Sequence, residues 1–187
     1  AALPMVREAF DKLIEAGRIM RAPARKGKVM ISCAPSFATK WLAPKLDRFH
    51  QEHPEIEAWV SADMGLTDFN TADTDLAIRY GRGVYEGLKS EKLLEETVLP
   101  VCSPRLMEGP DAINRPADLA RHTLLHDESP EKDPSCPDWT SWLRARGVED
   151  VDATRGPRFN QAVLVIEAAA TGRGVALAKK AIAAADL

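Results

Sequence analysis

The sequence predicts an α/β fold built in two successive blocks. Short apolar runs of strand length alternate with segments of helical periodicity, first up to about residue 99 and then again to the end of the chain. Gly and Pro punctuate the junctions, and no fixed-period repeat competes with this reading. The stretch from Lys28 to Pro54 shows the pattern most clearly, as a strand, a tight turn and a helix in immediate succession.

Residues 3–20 place Leu3, Val6, Phe10, Leu13 and Met20 at the narrow seam spacing of a coiled coil, with Gly17 weakening the seam near its end. Arg7, Glu8, Lys12, Glu15 and Arg18 fill the other faces. So few heptads are unstable alone, so the helix either pairs with a second copy through Leu3, Val6, Phe10 and Leu13 or lies on its own domain. Residues 22–27 (APARKG) form a solvated linker.

Val29, Met30 and Ile31 then make a buried strand. Pro35 biases Ala34 out of helical geometry, and Ser36 stands at the N-cap position ahead of Phe37, Trp41, Leu42, Leu46 and Phe49. Pro44 falls inside this helix and kinks it. A strand that feeds a helix through such a turn leaves backbone N–H groups and the positive dipole end at the edge of the sheet, where an anion binds. Ser36 and Thr39 can each add a hydroxyl. An ordinary N-capped helix with nothing bound has the same signature.

Glu55 to Ala62 alternates apolar and polar residues, as an edge strand does. Asp75 to Gly81 is a third strand that brings Arg79 and Tyr80 to the carboxyl edge. There Arg79 serves either an anionic ligand or a structural ion pair. Glu96 to Ser103 is a further strand whose Pro100 excludes a central ladder position. Ala117–Arg121 reads as a short helix, Thr123–His126 as a strand and 129–138 as a loop. Trp139 to Arg146 is a helix with Trp139, Trp142 and Leu143 on one face. A strand ends at Arg158–Asn160, an apolar helix runs from Gln161 to Thr171, a strand from Val175 to Ala178, and a last helix begins at Lys179.

The bulk numbers exclude several classes. A net charge of −3 over 187 residues argues against autonomous nucleic-acid binding. The three scattered cysteines make no disulfide framework and fit a reducing, cytoplasmic compartment. No stretch is long and apolar enough to span a bilayer, and no signal-peptide pattern is present. The chain opens at Ala1 within a helical pattern, as a fragment would. His50-x-x-His53 and His122-x-x-x-His126 have no partner at zinc-site spacing, and no P-loop glycine pattern occurs, so neither a metal nor a cofactor is expected. Cys33, His126 and Asp127 are the ingredients of a thiol nucleophile, yet Cys33 reads as a buried strand end, and no enzyme is expected.

Five stretches in order resemble the LysR-type transcriptional regulators. LPMVREAFDKL is similar to their linker helix, and APSFATKWLAPKLDRFHQEHPEIE to the opening of their effector-binding domain. DTDLAIRYGRG is similar to the close of their third strand, LPVCSP to the first hinge strand, and AAATGRGVALAKKA to a late helix and strand. The wording is nearest to the branch of the glycine-cleavage activator and the β-lactamase regulator.

The resemblance implies a type II periplasmic-binding-protein-like fold with two Rossmann-like subdomains preceded by a linker helix. The expected bounds are 1–22 for the linker helix, 27–99 for subdomain I and 100–187 for subdomain II. The family's DNA-binding domain and the return of the chain to subdomain I lie outside this sequence.

The resemblance also implies a small, anionic effector held between the subdomains, dimers or tetramers, DNA contact only through the missing N-terminal domain, and no membrane partner. Ser36, Phe37, Thr39, Met64, Arg79, Tyr80, His126, Phe159, Asn160 and Gln161 are the candidate ligand residues. His126 is expected just after a strand, and Phe159–Gln161 where the next strand feeds a helix. A free-standing solute-binding protein would use the same fold, but the linker helix and the missing export signal weigh against it.

Overall fold

The computed structural model describes residues 27–129 and 135–186. The seam residues Leu3, Val6, Phe10 and Leu13 lie outside the described residues. Contacts divide the chain into two units. Of the described residues, the first unit holds 27–33 and Lys45–Ile78; the second holds Ala34–Pro44 together with 79–129 and 135–186. Residues 79–99, assigned from the sequence to the first subdomain, therefore group with the second unit.

The first unit carries a parallel sheet of β1 (Lys28–Cys33), β2 (Glu57–Ala62) and β3 (Leu76–Ile78), in the order β2-β1-β3. β1 is central, which explains why its last three residues are buried while β2 is largely exposed, as an edge strand of alternating polarity should be. Asp75 sets the register of β3. Its N–H donates to the Met30 carbonyl and its carboxylate accepts from the Met30 N–H at 2.7 Å, which extends the ladder by a side chain. β3 stops at Ile78, shorter than expected, so Arg79 and Tyr80 lie just beyond the strand.

Helix formation after β1 departs from expectation in one respect. Ala34, in extended geometry, is the N-cap of the α-turn α1 (Pro35–Phe37), and its side chain makes no capping bond. Pro35 occupies the first helical position, where a missing N–H costs nothing, and this pushes Ser36 inside the helix. Ser36 is thus not the cap of its own helix. The chain then widens into a π-turn over Ala38–Leu42 before α2 (Ala43–Glu52). Pro44 cannot donate to the carbonyl four residues back and its ring crowds that carbonyl; the π-turn just ahead of it absorbs the clash.

The second unit carries a mixed sheet of β4 (Val98–Val101), β5 (Leu124–Asp127), β6 (Arg158–Phe159) and β7 (Val175–Lys179), in the order β4-β7-β5-β6. β4 is the antiparallel edge strand, which is where Pro100 can sit without breaking an inner ladder. The alternation along each strand splits the core in two. Leu125, Ala176, Ala178 and Val101 face α4 (Ala162–Ala170), which buries Val165, Ile166 and Ala169. Leu124, Val175 and Leu177 face α3 (Trp139–Arg144), with Trp139, Trp142 and Leu143. Side chains buried this fully contribute roughly 1.5–3 kcal/mol each.

The Trp139 indole also donates to the Leu125 carbonyl at 2.9 Å, joining α3 to the sheet by a buried hydrogen bond. Asp138 caps α3 by accepting from the Ser141 N–H at 2.7 Å. The same bond holds the Asp138 carboxyl below its usual range. Gly156 passes so close to the Leu124 carbonyl that a Cβ would collide with it, and its φ of 131° suits glycine alone. The short α5 (Lys180–Ala183) follows β7, with the Glu96 carboxylate accepting from the Ala181 N–H at 3.1 Å.

Candidate functional site

The second sheet builds a pocket at the carboxyl ends of β5 and β7. Strand alternation places Leu124, Val175 and Leu177 on the α3 face, and the next inward positions on that face are His126 on β5 and Lys179 on β7. The register sets Arg158 opposite His126 and Val98 opposite Lys179. These residues, with Leu125, Glu128, Trp139 and Thr154, line a cavity of about 550 Å³. Its size is that of a small-ligand pocket, and its lining mixes apolar and polar side chains.

The rim charges are unequally committed. Arg158 is paired with Glu128 at 2.8 Å and donates to the Thr154 carbonyl. The His126 Nε2 lies 2.9 Å from the Arg155 carbonyl; because a carbonyl only accepts, this nitrogen carries the proton and leaves Nδ1 as the second polar atom of the ring. Lys179 holds its ammonium 4.5 Å from the centre of the Tyr80 ring, a cation–π contact. Asp127 and Asp138 also line the pocket, so it presents Lys179 and His126 beside carboxylates, with Val98, Leu177 and Trp139 as its apolar members.

The sequence-predicted residues fall in several places. Tyr80 reaches the pocket through Lys179, and His126 lines it directly, from within β5 rather than after it. Ser36 is buried, and its hydroxyl accepts from the Val163 N–H at 2.9 Å, in the first turn of α4. Gln161 is the backbone N-cap of that helix but makes no side-chain capping bond; the hydroxyl of Ser36 supplies one from elsewhere in the chain. Thr39 is exposed, its hydroxyl donating to the Pro35 carbonyl. Phe37 stacks on Trp41 at 4.8 Å. Phe159 packs in the core layer that faces α4, and Asn160 is exposed. Met64 belongs to the first unit and is exposed, in a turn held by the Asp63 carboxylate. Arg79 is half-buried in the second unit.

Lys179, Arg158 and Lys40 were missed. Period-two alternation from Val175 would have put Lys179 on the α3 face, and a cation after four apolar strand residues is a readable signal. Lys40 carries no such signal, because its partners are 127 and 146 residues away. Cys33 is fully buried at the end of β1, as expected. Among the described residues no cluster of histidine, cysteine and carboxylate could hold a metal ion, and no helix is long and apolar enough to cross a membrane.

The family model for the LysR substrate binding domain matches residues 23–187. The chain belongs to this family. Its match to the glycine cleavage system transcriptional activator of Escherichia coli K12 is 40% identical over 182 residues, covering 97% of this chain and 58% of that protein. The chain thus spans somewhat over half the length of this curated relative. Among solved structures it is similar to the effector domain of the transcriptional regulator AmpR of Pseudomonas aeruginosa. The TM-score is 0.68 at 30% identity, covering 85% of this chain and 73% of that one. The AmpR effector binding domain of Citrobacter freundii gives 0.64 at 25% identity, covering 86% and 76%. The α/β, periplasmic-binding-protein-like class expected from the sequence is that of these effector domains. This LysR domain sits among regulators, not enzymes, which removes the thiol-nucleophile reading.

Proposed function

We propose that this LysR domain senses a small anionic metabolite and, within a longer regulator, converts its binding into a change in DNA binding and transcription. The observation that carries the reading is the convergence of Lys179, Arg158 and His126 on one pocket of the second sheet, beside apolar side chains, in a chain of the LysR family. A carboxylate on Lys179 would gain a charge-assisted hydrogen bond, and the apolar Val98, Leu177 and Trp139 would bury the remainder of the molecule.

Tyr80 and His126 are the sequence-predicted residues with the best claim to ligand contact. Ser36, Phe37, Thr39, Met64, Arg79, Phe159, Asn160 and Gln161 remain proposed contacts. The proposal includes a cytoplasmic homo-oligomer paired through Leu3, Val6, Phe10 and Leu13, with DNA reached through an N-terminal domain. A ligand biases such a regulator only by binding its two arrangements with different affinity.

The test is a thermal-shift screen of the purified chain against small carboxylates, amino acids and peptides. Stabilisation grows with the logarithm of ligand concentration over Kd, so weak binders register at high concentration. A stabilising acid whose effect disappears in Lys179→Met supports the reading. Stabilisation by amines alone, or equal stabilisation of the variant, overturns it.

A further inference from the structure

We propose that Ala34–Pro44 is a detachable strap, latched onto the second unit by Ser36 and Lys40, and that its release is a conformational switch of the domain. The chain leaves the first unit at Cys33, contributes these residues to the second unit, and re-enters the first at Lys45. Any displacement of the strap is therefore passed along the covalent chain to β1 on one side and α2 on the other.

Polar contacts of Ser36 and Lys40 hold it. The Ser36 hydroxyl accepts from the Val163 N–H at 2.9 Å, and Ser36 is 5% exposed. The Lys40 ammonium lies 3.0 Å from the Glu167 carboxylate and 2.9 Å from both carboxylate oxygens of Asp186, with its side chain 15% exposed. Val163 and Glu167 are four residues apart on α4, so the strap grips a single face of that helix at two successive turns. The strap also packs on α5, and Leu42 is its buried apolar residue.

The composition of the latch is what makes it a switch. Lys40 stands between two carboxylates from different parts of the unit, so withdrawing it leaves like charges without their counter-ion. Withdrawing Ser36 leaves a helix N–H without its acceptor. Water re-partners both groups once the strap swings out, so the cost of opening is the separation of Lys40 from its carboxylates and the exposure of Leu42. The joint is built in: the helix widens to a π-turn over Ala38–Leu42, shortly before Pro44, and so is irregular where the strap meets α2. The Lys40 ion pairs are screened by salt, whereas the apolar cores on the two faces of the second sheet have no charge to screen.

Hydrogen–deuterium exchange on the whole chain tests this. Lys40→Met keeps the aliphatic stem and removes the charge. Its amides at 34–44 should exchange about tenfold faster than wild type, with β5 and β7 unchanged. Ser36→Ala should accelerate Val163 and the strap together. In the wild type, raising sodium chloride to the molar range should speed exchange at 34–44 selectively, which keeps the test decisive if a variant does not fold. Strap exchange in Lys40→Met within twofold of wild type, acceleration spread equally over β5 and β7, or a salt-insensitive strap in the wild type would each overturn the proposal.

Discussion

The Ser36 hydroxyl, in the turn after β1, caps the first turn of a helix that begins more than a hundred residues later, by accepting from the Val163 N–H at 2.9 Å. A single short side chain thus ties the opening of the domain to the helix that buries one face of the second sheet. The N-terminal N–H groups of a helix need acceptors, and here the acceptor comes from a distant part of the chain.

Ser36→Ala removes that acceptor and leaves the N–H of Val163 facing a methyl group. The expected loss is about 1–2 kcal/mol, read as a lower denaturant midpoint with an unchanged m-value. Ser36→Thr keeps the hydroxyl but adds a methyl to a buried site, and should fall between the two.

Trp139→Phe preserves most of the apolar volume on α3 but deletes the indole N–H, which donates to the Leu125 carbonyl at 2.9 Å. A buried carbonyl loses its side-chain donor, so the variant should be about 1–3 kcal/mol less stable. Trp139→Ala also opens a cavity beside Trp142 and Leu143 and should cost more, about 3–5 kcal/mol. Urea unfolding of both variants measures the difference, which isolates the hydrogen bond from the packing.

Asp138→Ala should cost about 1 kcal/mol, the usual loss for an N-cap. The Ser141 N–H holds the Asp138 carboxyl below its ordinary value of 3.8, so the folded state favours the ionised form. That contribution is present in full above the unfolded value and fades as pH falls through the lower folded value. A comparison of wild type and Asp138→Ala should therefore show their stabilities converging in acid, below about pH 4.

The Lys40 ammonium runs in the opposite sense. Its hydrogen bonds to Asp186 and then to Glu167 raise it above the ordinary lysine value of 10.5. A group raised on folding stabilises fully below its unfolded value, and the contribution disappears as pH climbs through the folded one. Wild type and Lys40→Met should differ by a constant amount through neutral pH and converge only above about pH 10.5. Convergence at pH 8 would mean that Lys40 is not the group responsible.

Lys179→Met should weaken binding of an acidic effector about tenfold, the order expected for one charge-assisted hydrogen bond. The melting temperature of the unliganded chain should move little, since the ammonium contributes one cation–π contact to the fold. Isothermal titration with any acid found in the thermal-shift screen measures the change.

The strand-and-helix order was legible because it is written locally. Alternation in 57–62, the apolar spacing of Trp139, Trp142 and Leu143, and the apolar run of α4 each follow from a periodicity of two or 3.6 residues. The edge position of β4 followed from Pro100, since proline cannot donate to a ladder. The resemblance to LysR regulators was also local, carried by short motifs in order, and the family match over 23–187 agrees with it.

Three features were not legible, all of them consequences of distance along the chain. Ser36 has the composition of an N-cap, and whether it caps its own helix or another depends on what packs beside it. Lys40 reads as a solvated helix charge until Glu167 and Asp186 are brought to it. Lys179 and Arg158 come together with His126 through strand pairing, and a pairing partner has no marker in the residues themselves. Periodicity and turn chemistry act between neighbours, so the order and type of elements reside in the sequence. Side-chain partnership acts through space, so the latch on α4 and the pocket beside Lys179 exist only once the sheet has set its register.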